Sequence, residues 1–358
     1  MTKIREPYQL FSEPLRYYNA MVEDIEMTKK YDHVQNLRVE NDEIGQRFRR
    51  ALTAKARQGV EVKILIDYWG AGSVDQSFFK DLIQAGGELR LFEKIRYNTD
   101  IFTKGHRRNH RKLLMIDDEI SWIGSSNLTG YNLNWRESML RMKSDITETF
   151  VKIFMEDYRM YNKYKFNIAY KTRLIKHNEF EIIRDVPSIT FKRINQKFIK
   201  LIKNAKKRVL IETPYFLPGF MLRKAMMDAT SRGVEVIVVI PKRSDVNLID
   251  ILRNKYFGPL YQKGVVFNFY EHNNLHAKLM LVDDKIISIG SSNFDYRSFR
   301  YMFEIMLFGE NTEIAEQIKS HIYKTLQNST SFNYQQWLKR PLINKFFEYI
   351  LLPFRHLL

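Results

Sequence analysis

Two stretches of sequence, HRKLLMIDDEISWIGSSN at residues 110–127 and HAKLMLVDDKIISIGSSN at residues 276–293, repeat one pattern at identical spacing. Each reads His-x-Lys, four residues, Asp, six residues, and then Gly-Ser-x-Asn. The preceding segments are also alike, with AKARQGVEVKILID at 54–67 and ATSRGVEVIVVIP at 229–241. Coincidence does not reproduce such a pattern at identical spacing, so the chain is predicted to be a duplication with two halves of similar size.

Helix and strand patterns follow one another in both halves. Asp42 and Glu43 are typical of a helix start, apolar residues follow at helical spacing, and Gly59 can end the helix. Residues 60–66 and 234–240 are typical of buried strands, so we predict α/β halves with strands sandwiched between helices. The predicted segments are an N-terminal half at 1–160, a basic connector at 161–177 that forms a solvated helix, a C-terminal half at 178–335 and an amphipathic tail at 336–358.

The composition restricts the classes of protein that are possible. Apolar residues make up 44% of the 358 residues, which argues against intrinsic disorder. Cysteine is absent, which excludes disulfides, a thiolate nucleophile and Cys-ligated zinc. The net charge of +17 predicts attraction to a polyanion, either nucleic acid or an anionic lipid surface. Part of this charge lies around the first repeat, where it is expected to flank an anion site, at Lys104, Arg107, Arg108, Arg111 and Lys112.

The C-terminal tail is the candidate segment for contact with a membrane. No apolar run approaches the ~20 residues needed to cross a bilayer, so we expect no transmembrane helix. Residues 337–358 mix apolar, aromatic and basic side chains and contain two prolines. Such a segment can lie in the headgroup region of a membrane. It can equally be a terminal helix docked on the core, and both alternatives stand.

The repeated motif is suited to binding a tetrahedral anion. His and Lys two positions apart on a strand project to the same face. The Asp pair after the strand predicts a hairpin, which returns the Gly-Ser-x-Asn end to the His and Lys. Lys supplies positive charge, Asn supplies an amide donor, and His can attack or protonate. The residues concerned are His110, Lys112, Asp117, Ser125 and Asn127 in the first motif, and His276, Lys278, Asp283, Ser291 and Asn293 in the second.

Two such half-sites, related by a pseudo-twofold axis, would form one complete site with two imidazoles. One neutral imidazole would attack phosphorus and the other, protonated, would serve the leaving oxygen. No cofactor and no metal are expected, because the lysines neutralise phosphate and would repel a cation. Glu137, 27 residues after His110, and Glu304, 28 residues after His276, are the expected orienting carboxylates. The other histidines are expected to be structural, namely His33, His106, His177, His272, His321 and His356.

The duplicated motif resembles the signature of the phospholipase D superfamily, and the resemblance covers nearly the whole chain. It implies two α/β/α halves, each with a mixed sheet flanked by helices, that face one another across one active site. It also implies a covalent phosphohistidine intermediate, with His110 as nucleophile and His276 as general acid. By the same resemblance the motif Lys and Asn residues bind phosphate, while Asp117 and Asp283 support their motifs.

Three strings resemble those of bacterial cardiolipin synthases within this superfamily. They are RNHRKLLMID at 108–117, ETPYFLP at 212–218 and GSSNFDYRSFRYMFE at 290–304. The resemblance makes Tyr215 and Arg297 candidate pocket residues, although a packing role fits either one. Many relatives carry N-terminal transmembrane helices, whereas this sequence is expected to attach through its basic surface and its tail.

The expected function is phosphatidyl transfer, in which phosphatidylglycerol is converted to cardiolipin and glycerol. The partner would be an anionic phospholipid surface, with the protein peripheral on the cytoplasmic face of the cell membrane. The alternative is a phospholipase D-like phosphodiesterase or nuclease, for which basic charge is equally expected. A third hypothesis, a catalytically inactive binding module, is disfavoured because the motif His, Lys and Asn are present in both repeats.

Overall fold

The computed structural model describes residues 6–72, 74, 76–92, 107–160, 174–187 and 192–356. The chain divides into two compact units. The first comprises Met1–Lys171 together with Phe303–Ile305, and the second comprises Thr172–Met302 together with Met306–Leu358.

The first unit is built on one mixed sheet with the strand order β1-β8-β7-β6-β2-β3-β4. Strands β2, β3 and β4 are parallel, and the remaining neighbours are antiparallel. The elements are β1 (Tyr8–Phe11), α1 (Pro14–Glu26), β2 (Tyr31–Asn36), α2 (Glu43–Arg57), β3 (Glu61–Asp67), α3 (Lys80–Gln84), β4 (Glu88–Phe92), β5 (Arg108–Asn109), β6 (Leu113–Ile116), β7 (Ile120–Gly124), β8 (Met139–Lys143) and α4 (Ile146–Met160).

Helices cover both faces of this sheet. The predicted helix is α2, and the Asp42 carboxylate accepts a hydrogen bond from Gly45 N at 2.9 Å. Gly59 follows the helix with φ +84°, a conformation that glycine adopts without a Cβ clash. Val34 of β2 packs in the core formed with α1 and α2, whereas the adjacent His33 stacks on Phe154 of α4 with ring centroids 4.8 Å apart. Because neighbouring residues of a strand point to opposite faces, α4 lies across the sheet from α1 and α2.

The second unit contains a sheet with the order β17-β13-β12-β11-β14-β15-β16-β10-β9. Its elements are β9 (Leu174–His177), β10 (Phe180–Asp185), α5 (Arg193–Asn204), β11 (Arg208–Glu212), α6 (Phe220–Ser231), β12 (Glu235–Pro241), α7 (Asn247–Tyr261), β13 (Val265–Tyr270), β14 (Leu279–Val282), β15 (Ile286–Gly290), α8 (Tyr296–Tyr301), β16 (Met302–Glu310), α9 (Thr312–Gln327), β17 (Ser329–Ser331), α10 (Tyr334–Leu338) and α11 (Leu342–Ile350). The central segment of β16, residues 303–305, belongs to the first unit.

The same six-strand pattern occurs in both units. The order β8-β7-β6-β2-β3-β4 in the first matches β16-β15-β14-β11-β12-β13 in the second. The strand directions also match, with three parallel strands followed by antiparallel ones. The predicted fold class, mixed α/β sheets flanked by helices, is therefore confirmed, and the buried strands predicted at 60–66 and 234–240 are β3 and β12.

The predicted connector helix at 161–177 is wrong in its last four residues. Residues 161–173 lie outside the described residues. Residues 174–177 form β9, which pairs with β10 in an antiparallel hairpin. The turn contains Asn178 at φ +48°, and asparagine tolerates this left-handed conformation because its short polar side chain can bond locally.

Within the described ranges, no helix is both long enough and apolar enough to cross a membrane.

Candidate active site

Each repeated motif forms the predicted hairpin. In the first unit Leu113 of β6 pairs with Ile123 of β7, so the residues before β6 and after β7 lie at the same end. The turn at the other end places Asp117 at φ +51°, and its counterpart Asp283 has φ +54°. Leu279 of β14 pairs with Ile289 of β15 in the same register. The hairpin therefore brings the Gly-Ser-Ser-Asn loop of each motif back to its His and Lys.

His110 is held at both its backbone and its ring by residues 303–304, which belong to the first unit. Its backbone N–H donates to Phe303 O at 3.0 Å. Its ring Nδ1 lies 3.0 Å from Glu304 Oε1 and 3.1 Å from Glu304 Oε2. Both side chains are buried, with His110 only 6% exposed and Glu304 0%. A carboxylate that accepts from Nδ1–H selects the tautomer with the lone pair on Nε2, the atom that can attack phosphorus.

The carboxylate on His110 is therefore the one that follows the second motif. Glu137, which follows His110 by 27 residues, is fully buried and bonds elsewhere in the first unit. Ser125 Oγ donates to Glu137 Oε2, and Asn132 Nδ2 donates to Glu137 Oε1 at 3.1 Å. Glu137 thus ties the Gly-Ser-Ser-Asn loop to the segment that precedes β8.

The two motif lysines adopt the same geometry. Lys112 Nζ donates to the backbone oxygen of His110 at 2.6 Å, and Lys278 Nζ donates to that of His276 at 2.7 Å. The side chains of both lysines are buried. His276 is also buried, with 5% exposure. The two repeats therefore hold a buried positive charge in matching positions, next to the backbone of each motif histidine.

The motif asparagines are likewise matched. Asn127 Oδ1 and Asn293 Oδ1 are buried, and neither has a hydrogen-bond partner among the residues that the structure describes. Most buried polar atoms are paired, so the same unpaired amide oxygen in both repeats shows that the two asparagines have matching surroundings. Next to Asn127, Ser126 Oγ bonds to the Tyr17 hydroxyl and accepts from Asn132 Nδ2 at 3.0 Å. Ser291, the counterpart of Ser125, is fully buried.

The motif aspartates lie at the turn end of each hairpin. Asp117 accepts hydrogen bonds from the backbone N–H groups of Lys29, Lys30 and Tyr31 at 3.1, 2.7 and 3.0 Å. Asp117 lies seven positions after His110, which is roughly 23 Å along an extended strand. Asp283 makes the matching bonds to the backbone N–H groups of residues 206–208. These carboxylates hold the chain that enters β2 and β11.

Tyr215 and Arg297 are both in the second unit. The Tyr215 hydroxyl donates to Asp245 Oδ1 at 2.7 Å. Burial first, and the negative charge of Asp245 second, raise the pKa of Tyr215 well above its ordinary value, so the phenol stays neutral. Arg297 Nε is buried and has no hydrogen-bond partner within the described part of the chain.

Two arginines beside His110 have a different role from the one their charge suggests. Arg108 and Arg111 are predicted to flank an anion site, but the structure buries both, at 2% and 0% exposure. Arg108 Nη1 lies 3.1 Å from Asp67 Oδ1, and Arg111 Nη1 pairs with the buried Asp157. Their charges are therefore compensated inside the first unit, because a buried guanidinium requires a carboxylate partner. Lys104 lies outside the described residues.

The repeated motif does not include these supporting carboxylates. Asp67 ends β3, and its Oδ2 accepts from Asn109 N at 2.8 Å, immediately before His110. Arg111 Nε also donates to the backbone oxygen of Glu304 at 3.2 Å. An Asp directly after the apolar run at residues 64–66 was the available signal for the first. No sequence pattern links Asp157 on α4 to Arg111.

Comparisons with known proteins identify the family. The family model described as "Cardiolipin synthase, PLD-like domain" matches residues 21–158 and 198–326, which is well over half of the chain. The major cardiolipin synthase ClsA of Bacillus subtilis strain 168 is 31% identical over 339 residues, covering 91% of this chain and 70% of that protein. The cardiolipin synthase of Clostridium perfringens strain SM101 is 30% identical over 363 residues, covering 97% and 76%.

A solved structure shows the same fold at much lower identity. The crystal structure of phosphatidylserine synthase from Haemophilus influenzae Rd KW20 superposes with a TM-score of 0.75 and 15% identity, covering 97% of this chain and 92% of that one. The motif repeats, the matched sheets and the family model lead to one conclusion. The chain belongs to the phospholipase D-like family of cardiolipin synthases.

Proposed function

We propose that this protein is a phosphatidyltransferase that converts two molecules of phosphatidylglycerol into cardiolipin and glycerol. The observation that carries the proposal is the buried contact between His110 Nδ1 and the Glu304 carboxylate, in a chain about 30% identical to cardiolipin synthases over most of its length. An imidazole held this way is prepared for nucleophilic attack, as in other His–carboxylate pairs. The buried Lys112 ammonium beside it suits the phosphate of a phospholipid.

In the first half-reaction His110 Nε2 attacks the phosphorus of one phosphatidylglycerol. The new P–N bond forms as the P–O bond to the terminal glycerol breaks, and the glycerol oxygen takes a proton from His276. The imidazole gains positive charge as the bond forms, which the Glu304 carboxylate stabilises through Nδ1–H. The lysines and asparagines of both motifs stabilise the non-bridging phosphate oxygens.

In the second half-reaction the terminal hydroxyl of another phosphatidylglycerol gives its proton to His276 and attacks the phosphorus. The P–N bond breaks, His110 is regenerated and cardiolipin is released. Both steps are exchanges at phosphorus, so neither requires an oxidant or a nucleotide. Water in place of the lipid hydroxyl would give phosphatidic acid, so exclusion of water decides between transfer and hydrolysis.

We further propose that the protein works as a peripheral protein on the anionic cytoplasmic face of the cell membrane. The net charge of +17 supports this placement, because basic proteins are attracted to the negative surface potential of that leaflet. The proposed substrate is itself an anionic lipid of that surface. Tyr215 and Arg297 are proposed to line the substrate pocket in the second unit; the buried Nε of Arg297, unpaired within the described residues, supports this.

Product analysis tests the function directly. The full chain is incubated in parallel with phosphatidylglycerol, phosphatidylethanolamine and single-stranded DNA, and products are identified by mass spectrometry. We expect cardiolipin and stoichiometric glycerol from phosphatidylglycerol, and no product with a His110→Ala variant. Cleavage of DNA without any lipid product would replace the proposal with a nuclease, and phosphatidic acid alone would replace it with a hydrolase.

A further inference from the structure

The C-terminal helix α11 presents apolar side chains outward. Leu342 is 80% exposed, Tyr349 66% and Phe346 56%, and the neighbouring Ile343, Phe347 and Ile350 are 44–56% exposed. The helix side that faces the protein instead carries Glu348, which is only 1% exposed. A surface helix of a globular protein has the opposite arrangement, with its apolar stripe facing the core. The outer face of α11 is therefore a contiguous apolar surface that needs a partner.

The inner side of α11 is anchored firmly. Arg340 forms a bidentate pair with Glu348, with Nε to Oε1 at 2.8 Å and Nη2 to Oε2 at 2.9 Å. The Arg340 guanidinium also stacks on Trp337, 4.0 Å from the ring centroid. Parallel bonds of this kind fix geometry as well as adding energy. The helix is thus locked in the orientation that exposes its apolar face.

Trp337 in turn fixes this anchor to α7. Its indole Nε1 donates to the backbone oxygen of Asn254 at 2.8 Å. Its ring lies against Gly258, where any Cβ would come within 2.2 Å of the indole. Lys255 of the same helix places its Nζ 4.0 Å from the centroid of the Tyr349 ring. The tail therefore docks on the core through one side and leaves the other side to solvent.

We propose that the outer face of α11 inserts into the interfacial region of an anionic phospholipid membrane. Nine residues span about 14 Å as a helix, which suits a helix lying in the interface and is too short to cross a bilayer. Its aromatic residues, Phe346, Phe347 and Tyr349, favour the headgroup boundary. Basic residues of the tail, Lys339 and Lys345, supply the complementary charge. The choice of a lipid partner rests on the proposed function, since the substrate is a membrane lipid.

The test compares two matched double variants of the full chain. Leu342→Ser with Phe346→Ser removes apolar area from α11. Leu15→Ser with Met27→Ser removes apolar area of similar exposure, 57% and 58%, at helix α1. Binding is measured by co-sedimentation with phosphatidylcholine–phosphatidylglycerol vesicles and with pure phosphatidylcholine vesicles. We expect the α11 variant to lose at least about tenfold in partitioning to the mixed vesicles, and the α1 variant to bind as the wild type does.

Two further measurements separate this proposal from its alternatives. Transfer activity in detergent–phosphatidylglycerol micelles should stay within about twofold of the wild type for both variants, because none of the four replaced residues belongs to the proposed catalytic or pocket residues. Unchanged vesicle binding by the α11 variant would overturn the membrane proposal, as would equal loss by the α1 variant. Sedimentation velocity without lipid compares self-association of the wild type and the α11 variant. If only the wild type self-associates, the partner of the apolar face is a second copy of the chain, and the membrane proposal is overturned. Wild-type protein that binds vesicles but transfers nothing in micelles would contradict the proposed function alone.

Discussion

The imidazole of His110 is held by the carboxylate of Glu304, with Nδ1 3.0 Å from Oε1, although 194 residues separate them. His110 opens the first motif, whereas Glu304 follows the second. The first repeat is therefore not self-sufficient, because it depends on the second to fix the tautomer and orientation of its histidine. This dependence gives a physical reason for the two copies to remain on one chain.

Replacing Glu304 by Gln tests the importance of this contact. The amide cannot stabilise the imidazolium-like ring of the phosphohistidine, so we expect kcat to fall by about 10²–10⁴-fold with KM little changed. Steady-state kinetics in detergent–lipid micelles measures the effect. Glu310→Gln is the matched control, since Glu310 ends the same strand and pairs with Lys285 at the surface. A Glu304→Gln enzyme as active as this control would remove the orienting role.

Replacing His110 and replacing His276 should block different steps of the reaction. His110→Ala is expected to reduce turnover by at least about 10³-fold, since the nucleophile is gone. His276→Asn should retain the nucleophile but slow the breakdown of the intermediate. Mass spectrometry of peptides from the quenched His276→Asn reaction should then show a phosphatidyl adduct on His110. An adduct found on His276 in the quenched His110→Ala reaction would reverse the two roles.

Asp117 should affect stability and leave the chemistry intact. Its carboxylate accepts three backbone N–H bonds at the start of β2, and its φ is +51°. Asp117→Ala loses these bonds and also loses the short polar side chain that lets Asp tolerate positive φ, so the free energy of unfolding should fall by about 1–3 kcal/mol. Urea unfolding measures this change, with Asp118→Ala as the neighbouring control. Transfer activity per folded molecule should stay within about threefold, and a larger loss would assign Asp117 a catalytic role.

Asp32 is expected to make stability depend on pH. Burial raises the pKa of Asp32 to about 7, and the Thr28 hydroxyl donates to its Oδ1 at 2.7 Å. The unfolded chain ionises this group near pH 4, so the native state loses stability as pH rises from about 4 to about 7. Asp32→Asn cannot ionise and keeps the acceptor for Thr28.

The Asp32→Asn variant should therefore gain stability relative to the wild type as pH increases. We expect the difference in unfolding free energy to grow by about 2–4 kcal/mol between pH 4 and pH 8. Chemical denaturation at several pH values measures it. A difference that does not change with pH would mean that Asp32 has an ordinary pKa in the native protein.

The sequence by itself determined the duplication, the fold class and the motif hairpins. Those features depend on short-range periodicity: apolar strands such as 60–66, and Asp pairs such as Asp117 and Asp118 that accept turn geometry. The bond from each motif lysine to the backbone oxygen of the histidine two residues before it, made by Lys112 and Lys278, is also local in sequence.

Tertiary structure alone decided which groups meet across long sequence separations. Glu304, rather than Glu137, lies against His110, and Asp67 and Asp157 neutralise Arg108 and Arg111. Side-chain partners in a folded core are set by strand order and helix packing, which leave no spacing signal in the chain. The tail shows the same limit, since its composition allowed either docking or membrane contact. The Arg340–Glu348 pair fixes the side of α11 that carries Glu348 against the protein. The apolar residues lie on the opposite side of the helix and therefore remain exposed.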